Sequence, residues 1–258
     1  LKFNDLERLS KPFICAQLAN GNILYFDNTK PFELFTVIDG RRVDADISSL
    51  GGEYDCSFKG IVNDHAFFSA VKGRIVRFFR AFIAAGRLVL EQINELKTSD
   101  LILFESEPMY FIEDGKEWNV YQYHENYEYI EGEKFDISEI KAISKYERHY
   151  HRGVLYFYRE NEKPKLQRFN DNVVIVEGPA LDGTLSFYTP PHSDTIYIAN
   201  ADQNVLMSLN TAHLSISQRS YEPPIESTYH AIVGVYDRTL TMSFEGKGVG
   251  RCLMTTRL

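Results

Sequence analysis

The chain has 258 residues, 44% of them apolar and 25% charged, and its 28 Lys and Arg against 36 Asp and Glu leave a net charge of −8. That balance supports a sizeable globular core and excludes a disordered tail, a collagen-like rod and a disulfide miniprotein. The acidic excess argues against nucleic acid or an anionic membrane as partner, since both need a cationic face.

The first ten residues, Leu1 to Ser10, alternate charged with apolar side chains and do not read as a signal peptide. The greasiest stretch, Ala81 to Leu90, is broken by Gly86 and Arg87. It falls far short of the about 20 apolar residues a membrane helix needs. Cys15, Cys56 and Cys252 are far apart, with no CxxC and no Asn-x-Ser/Thr sequon in the chain. They are expected to be free thiols in a reducing, cytoplasmic or otherwise intracellular compartment.

An apolar segment with an aromatic at its centre recurs along the chain, centred on Tyr25, Phe67, Tyr110, Tyr156, Tyr197 and, without the aromatic, Leu240. The steps are 42, 43, 46, 41 and 43 residues. A second mark, an apolar-polar-polar-apolar tetrad, runs in phase at Leu6–Leu9, Ile47–Leu50, Ile93–Leu96 and Ile137–Ile140. It persists in degenerate form at Gly178–Leu181 and Ile216–Arg219. These tetrads are read as linkers between units.

Within each unit the pattern predicts short strands, because β-branched and aromatic residues alternate between turns of Asn, Asp, Gly and Pro. Asn20-Gly21 and Asp114-Gly115 are hairpin-turn signals. Phe78, Phe82, Ala85 and Val89 lie at helical spacing, yet the phase of the repeat favours two strands with Gly86 in the turn between them. The fourth unit reads as strands at Arg148–His151, Val154–Tyr158, Leu166–Phe169 and Val173–Val176. The fifth reads as strands at Thr184–Tyr188, Thr195–Ile198, Val205–Leu209 and His213–Ile216. In the sixth, Gly246 to Gly250 reads as a glycine-rich hairpin turn and not a phosphate loop, since the Walker spacing is missing.

Four strands in about 43 residues resembles a blade of a β-propeller. The chain carries neither the WD dipeptide nor the paired glycine of kelch repeats, and its single Trp118 rules out a tryptophan in every blade. The fold expected is all-β: one six-bladed propeller domain over residues 1–258, with Leu1 to Asn4 pairing with Gly250–Arg257 to close the last blade.

Reactive constellations are sparse. No nucleophile elbow is present. His149 and His151 would share a strand face, but Arg148 and Arg152 flank them and no third ligand stands at a readable spacing, so no metal is assigned. Asp64, Asp114, Asp194, Asp202 and Asp237 stand at phased turns. Six-bladed propeller hydrolases and lactonases hold a calcium ion in their channel through such residues. Asp is equally the ordinary turn residue, and no cofactor is assigned.

The most distinctive stretch is Tyr121 to Tyr129, where Tyr121 and Tyr123 share one strand face and Tyr127 and Tyr129 the next. Aromatics with polar tips suit recognition surfaces. An acidic run, Glu125, Glu128, Glu131, Glu133, Asp136 and Glu139, overlaps it. It is flanked by basic units containing Lys59, Lys72, Arg74, Arg77, Arg80 and Arg87 before it and Lys141 to Arg168 after it. The reading is a non-catalytic scaffold for a protein or peptide partner that uses Tyr121, Tyr123, Tyr127, Tyr129, Glu128 and Glu131. A calcium-dependent propeller hydrolase or lactonase and a carbohydrate-binding propeller are the rival readings.

Overall fold

The computed structural model describes the backbone of residues 1–11, 13–29, 32–62, 64–97, 101–104, 109–114, 117–122, 128–130, 148–151, 154–159, 165–168, 173–190, 193–227, 229–246 and 250–258. From 98 to 164 the description is of backbone pairing. The chain falls into two compact units, Leu18–Gly153 and Leu1–Gln17 with Val154–Leu258.

The first of these units carries strands in chain order, each paired antiparallel with the next within its sheet. One run is β3 (Ile23–Asp27), β4 (Glu33–Ile38) and β5 (Arg41–Asp44). A second is β6 (Asp55–Val62), β7 (His65–Lys72), β8 (Ile75–Ala84) and β9 (Arg87–Lys97). A third is β10 (Leu101–Phe104), β11 (Met109–Asp114), β12 (Glu117–Gln122) and β13 (Glu128–Ile130). β14 (Arg148–His151) ends the unit.

Burial explains the strand that reads as helix in isolation. Phe67 on β7 and the adjacent pair Phe78 and Phe79 on β8 are all fully buried, so this sheet is covered on both faces and its strands lose polar alternation. Ala85 and Gly86 take φ of +49° and +73°, the two left-handed residues of a primed hairpin turn, and return the chain into β9. Asp39-Gly40 does the same between β4 and β5. The basic residues here are not a bare cationic face. Arg77 bonds Glu95 and Arg80 bonds Glu91, each at 2.8 Å and each directly opposite across β8 and β9. Lys72 pairs with Glu53, and Lys59 is buried.

The other unit holds β1 (Asn4–Leu9), β2 (Ile14–Gln17), β15 (Val154–Arg159), β16 (Lys165–Arg168) and β17 (Val174–Glu177). It continues with β18 (Leu185–Tyr188), β19 (Thr195–Asn200), β20 (Val205–Asn210), β21 (Ser215–Ser220), β22 (Tyr229–Tyr236), β23 (Thr239–Gly246) and β24 (Gly250–Arg257). β18 to β21 form one antiparallel meander. β22, β23 and β24 form another, and β1 adds to the free side of β24. Gly246 pairs with Gly250 where β23 meets β24, and the turn expected between them lies outside the described residues.

The N-terminal segment pairs with the expected strand but three residues later than expected. Asn4 stands opposite Thr255 and Leu9 opposite Arg251, with a bulge between Asp5 and Glu7. Leu6 to Leu9 is therefore strand and not linker. Two of the tetrads are linkers: Ser48–Leu50 and Pro179–Leu181 are single 3-10 turns that bury Leu50 and Leu181. Ile93–Leu96 lies inside β9 and Ile216–Arg219 inside β21, because an apolar-polar-polar-apolar tetrad also fits a twisted edge strand. Ile137–Ile140 lies outside the described residues. The aromatic mark holds better: Tyr25, Phe67, Tyr110, Tyr156, Tyr197 and Leu240 fall on β3, β7, β11, β15, β19 and β23, every fourth strand.

Among the described residues, two apolar clusters lie in this second unit. Leu166, Leu181, Ile196, Ile198, Val205, Met207 and Leu209 form one. Ala199, Leu206, Tyr221, Leu240, Met242, Phe244, Cys252 and Met254 form the core of the other. β19 and β20 feed both, one from each face, since alternate residues point to opposite sides.

Candidate functional site

The stretch singled out in the sequence is placed in part. β12 and β13 form a hairpin with Tyr121 opposite Tyr129 and Gln122 opposite Glu128. Tyr123, Tyr127 and Glu131 lie outside the described residues. The turn aspartates that are described act locally. Asp64 accepts from the amide of Asn20 at 2.8 Å and Asp202 from that of Thr184 at 2.6 Å. Asp194 and Asp237 are exposed, the latter at a positive φ of 43° in the turn after β22. Asp114 is the last residue of β11, paired with Glu117. Among the described residues no group of three or more His, Cys, Asp or Glu is placed to hold a metal. The three cysteines are free, and burial pushes the Cys15 thiol up to about 12, the reverse of an activated nucleophile.

A feature that the sequence did not single out lies on the meander β18 to β21. Tyr197, Ser208 and Ser217 stand in one row across β19, β20 and β21, and Ala199, Leu206 and Arg219 in the next. Both rows share a face by alternation. Tyr197, Leu206, Ser208, Ser217 and Arg219, with Leu258, line a pocket of about 100 Å³. The Ser208 and Ser217 hydroxyls bond each other at 2.7 Å. Burial raises the Tyr197 phenol above its ordinary pKa, and the Arg219 guanidinium pulls it the other way.

The rim of this pocket is β21, whose six residues are all exposed. Its backbone is paired on one side. The Tyr221 amide bonds the Asn204 carbonyl at 2.9 Å, which fixes the parity of the ladder. Arg219, Ser217 and Ser215 direct their backbone groups toward β20, and Ser220, Gln218 and Ile216 direct theirs outward. The outward carbonyl of Ser220 accepts from the amino group of Leu1 at 2.8 Å. Among the described residues no strand pairs with Ile216 and Gln218 on that side, and they form a sheet edge.

No family model matches the chain, and no curated protein matches it in sequence. Among solved structures it is similar to the PQQ-bound aldose sugar dehydrogenase of Streptomyces coelicolor, with a TM-score of 0.52 and 10% identity over 98% of this chain and 97% of that one. The WD40 β-propeller domain of Doa1 aligns over 99% of this chain and 96% of its own at a TM-score of 0.44 and 9% identity. At such identities only the first carries weight, and it speaks to the fold. Small antiparallel meanders following one another in chain order are propeller construction. The protein is an all-β propeller.

In the propeller the segment leaving β21 is tied down by a buried polar chain. The Tyr221 hydroxyl lies 3.3 Å from the Asn200 carbonyl and 3.0 Å from His230 Nδ1. His230 is 2% exposed, and its Nε2 has no hydrogen-bond partner among the described residues. Burial lowers the His230 pKa below 6.5, against a smaller opposing pull from Asp202. The unfolded chain therefore binds the proton more readily, and stability is lost as pH falls through about 6.5 toward the folded value. The expected slope within that window is up to about 1.4 kcal/mol per pH unit from this group. Urea unfolding at stepped pH should show that segment in the wild type and not in His230→Gln. Equal slopes would mean that the ring is not held neutral.

Proposed function

We propose that the protein is a non-catalytic platform that receives an extended segment of a protein or peptide partner along β21. The observation that carries this is the edge at Ile216 and Gln218, both exposed, without a neighbouring strand among the described residues and bordered by a hydroxyl-lined pocket on one face. A sheet edge with unpaired amides and carbonyls binds extended chains by strand addition, and an adjacent pocket supplies side-chain selectivity. The scaffold is one domain over residues 1–258, a propeller of six blades. The spacing of the aromatic mark on every fourth strand and the pairing of β1 with β24 support that count and a last blade completed by the N-terminal strand. A ring of blades keeps β21 rigid, so little ordering free energy is spent on binding.

The experiment is panning of a displayed random-peptide library on the wild type and on Gln218→Pro. Proline there removes an outward N–H and leaves the ladder to β20 intact. Recovery is expected to fall about tenfold or more in the variant with thermal unfolding unchanged, the size of effect that loss of paired edge bonds produces. Equal recovery from both proteins sinks the platform reading at this edge. The tyrosine-rich acidic stretch is a second proposed contact, through Tyr121, Tyr123, Tyr127, Tyr129, Glu128 and Glu131. Reversal of Glu128 and Glu131 to lysine tests that contact separately: pull-down of a partner should be lost, and unchanged binding removes the stretch from consideration.

A further inference from the structure

We infer that the segment added along β21 is acidic, with an Asp or Glu side chain seated against Arg219 in the pocket formed with Tyr197, Ser208 and Ser217. This rests on the platform reading and names the chemistry of its ligand.

Size comes first. A pocket of about 100 Å³ is below the roughly 300–1,000 Å³ of sites that enclose whole small molecules. It takes the end of one side chain. Its lining side chains are one guanidinium, three hydroxyls and the apolar Leu206 and Leu258. Hydroxyls both donate and accept, so the cation decides what enters. One guanidinium matches the single charge of a carboxylate and presents the paired N–H geometry that a carboxylate accepts.

Register supplies the second argument, and the chain itself supplies the example. On β8, Arg77 and Arg80 each stand directly opposite a glutamate of the neighbouring β9, and both pairs close at 2.8 Å. Arg219 lies on one face of β21 opposite Leu206, with its own backbone bonded to β20. Among the described residues no strand lies on its other side and no carboxylate pairs with it. A strand laid along Ile216 and Gln218 places one residue directly opposite Arg219, with Cβ atoms about 4.5–5.5 Å apart. A glutamate there meets the guanidinium across the strands, as Glu91 and Glu95 meet Arg80 and Arg77. Its alternate neighbour on the same face lies opposite Ser217, within reach of the hydroxyl pair.

The test uses the whole chain and three capped synthetic peptides read by fluorescence anisotropy: alternating Thr and Glu, the same with Gln for Glu, and the same with phosphoserine for Glu. The Glu peptide is expected to bind about tenfold more tightly than the Gln peptide, and Arg219→Gln to bring the two within about twofold. Gln218→Pro should abolish both. Amide exchange at Ile216 and Gln218 should slow on binding, while Ser217 and Arg219, already bonded to β20, stay unchanged. Equal affinities for the Glu and Gln peptides, both still lost in Gln218→Pro, overturn the carboxylate and leave the platform reading standing. Tighter binding of the phosphoserine peptide overturns it in favour of a phosphate. Glu-peptide binding that survives both substitutions, or no binding at all, overturns it outright, and the library panning then decides the platform reading separately.

Discussion

Replacing Phe244 by alanine should cost about 3–5 kcal/mol of stability, the range for a fully buried aromatic whose site cannot collapse. Phe244 is 0% exposed at the centre of the cluster built by Leu240, Met242, Cys252 and Met254. Its ring meets Phe3 at 5.1 Å and 75°, His230 at 4.8 Å and Tyr221 at 6.4 Å, edge-on or tilted in each case. Collapse is opposed on every side, since β23 is paired with both β22 and β24 and its backbone has no freedom to follow. The Phe3 contact gives the loss a second signature. Phe3 precedes β1, so removing the ring beneath it loosens the strand that pairs with β24. The double substitution Phe3→Ala, Phe244→Ala should therefore cost less than the two singles together. Urea unfolding measures all three. A loss below about 1 kcal/mol for Phe244→Ala, the usual value for a surface or well-relaxed site, would mean that this cluster is not the core of its unit.

The strands and hairpins were legible because their signals are local. Alternation, β-branching and turn residues act over a few positions, and the predicted strands of residues 148–216 lie within a few residues of β14 to β21. The segment from Phe78 to Lys97 was harder, since burial on both faces replaces alternation with a run of apolar residues that also fits a helix. There the left-handed pair Ala85 and Gly86 decides, and only Gly86 announces it in the sequence. The tetrads are linkers in two of the five described places and strand in the other three. A tetrad such as Ile216–Arg219 is the same string whether it turns or runs straight, and the edge position that makes it a strand is set by β20.

The pocket was illegible for a related reason. Tyr197, Ser208, Ser217 and Arg219 come from three strands, and only their register brings them into adjoining rows. Ser215 to Ser220 reads as a polar connection by composition. A signal was present in hindsight: an arginine in an otherwise uncharged, serine-rich edge strand, with no acidic residue between Gln203 and Ser220 to pair with it. The tyrosine-rich stretch stands out by composition, and composition does not report register.

Asn200→Ala should cost about 2–3 kcal/mol, because this one side chain answers four backbone groups. Its Nδ2 donates to the carbonyls of Ala180 at 2.7 Å and Asp182 at 2.9 Å. Its Oδ1 accepts from the amides of Asp202 at 3.0 Å and Gln203 at 3.1 Å. The residue is 0% exposed, so water does not replace what alanine removes. These bonds clasp the 3-10 turn at Pro179–Leu181 to the hairpin of β19 and β20, and the Asn200 carbonyl reaches on to Tyr221 at the exit of β21. Asn200→Asp separates the donor from the acceptor role. It keeps the bonds to the two amides and turns a carboxylate toward two carbonyls, which raises its pKa in the folded state. Its protonated form regains a donor. The folded state then binds the proton more readily than the unfolded chain, so the deficit of Asn200→Asp relative to wild type should shrink as pH falls through that raised pKa. Unfolding of the two proteins from pH 7 downward reads this directly: converging stabilities place the cost on the lost Nδ2 bonds, and a constant gap would mean that the clasp on Ala180 and Asp182 contributes nothing. Because the clasp ends at Tyr221, loosening it should also weaken peptide capture at β21 by more than the distance from Asn200 to Gln218 along the chain suggests.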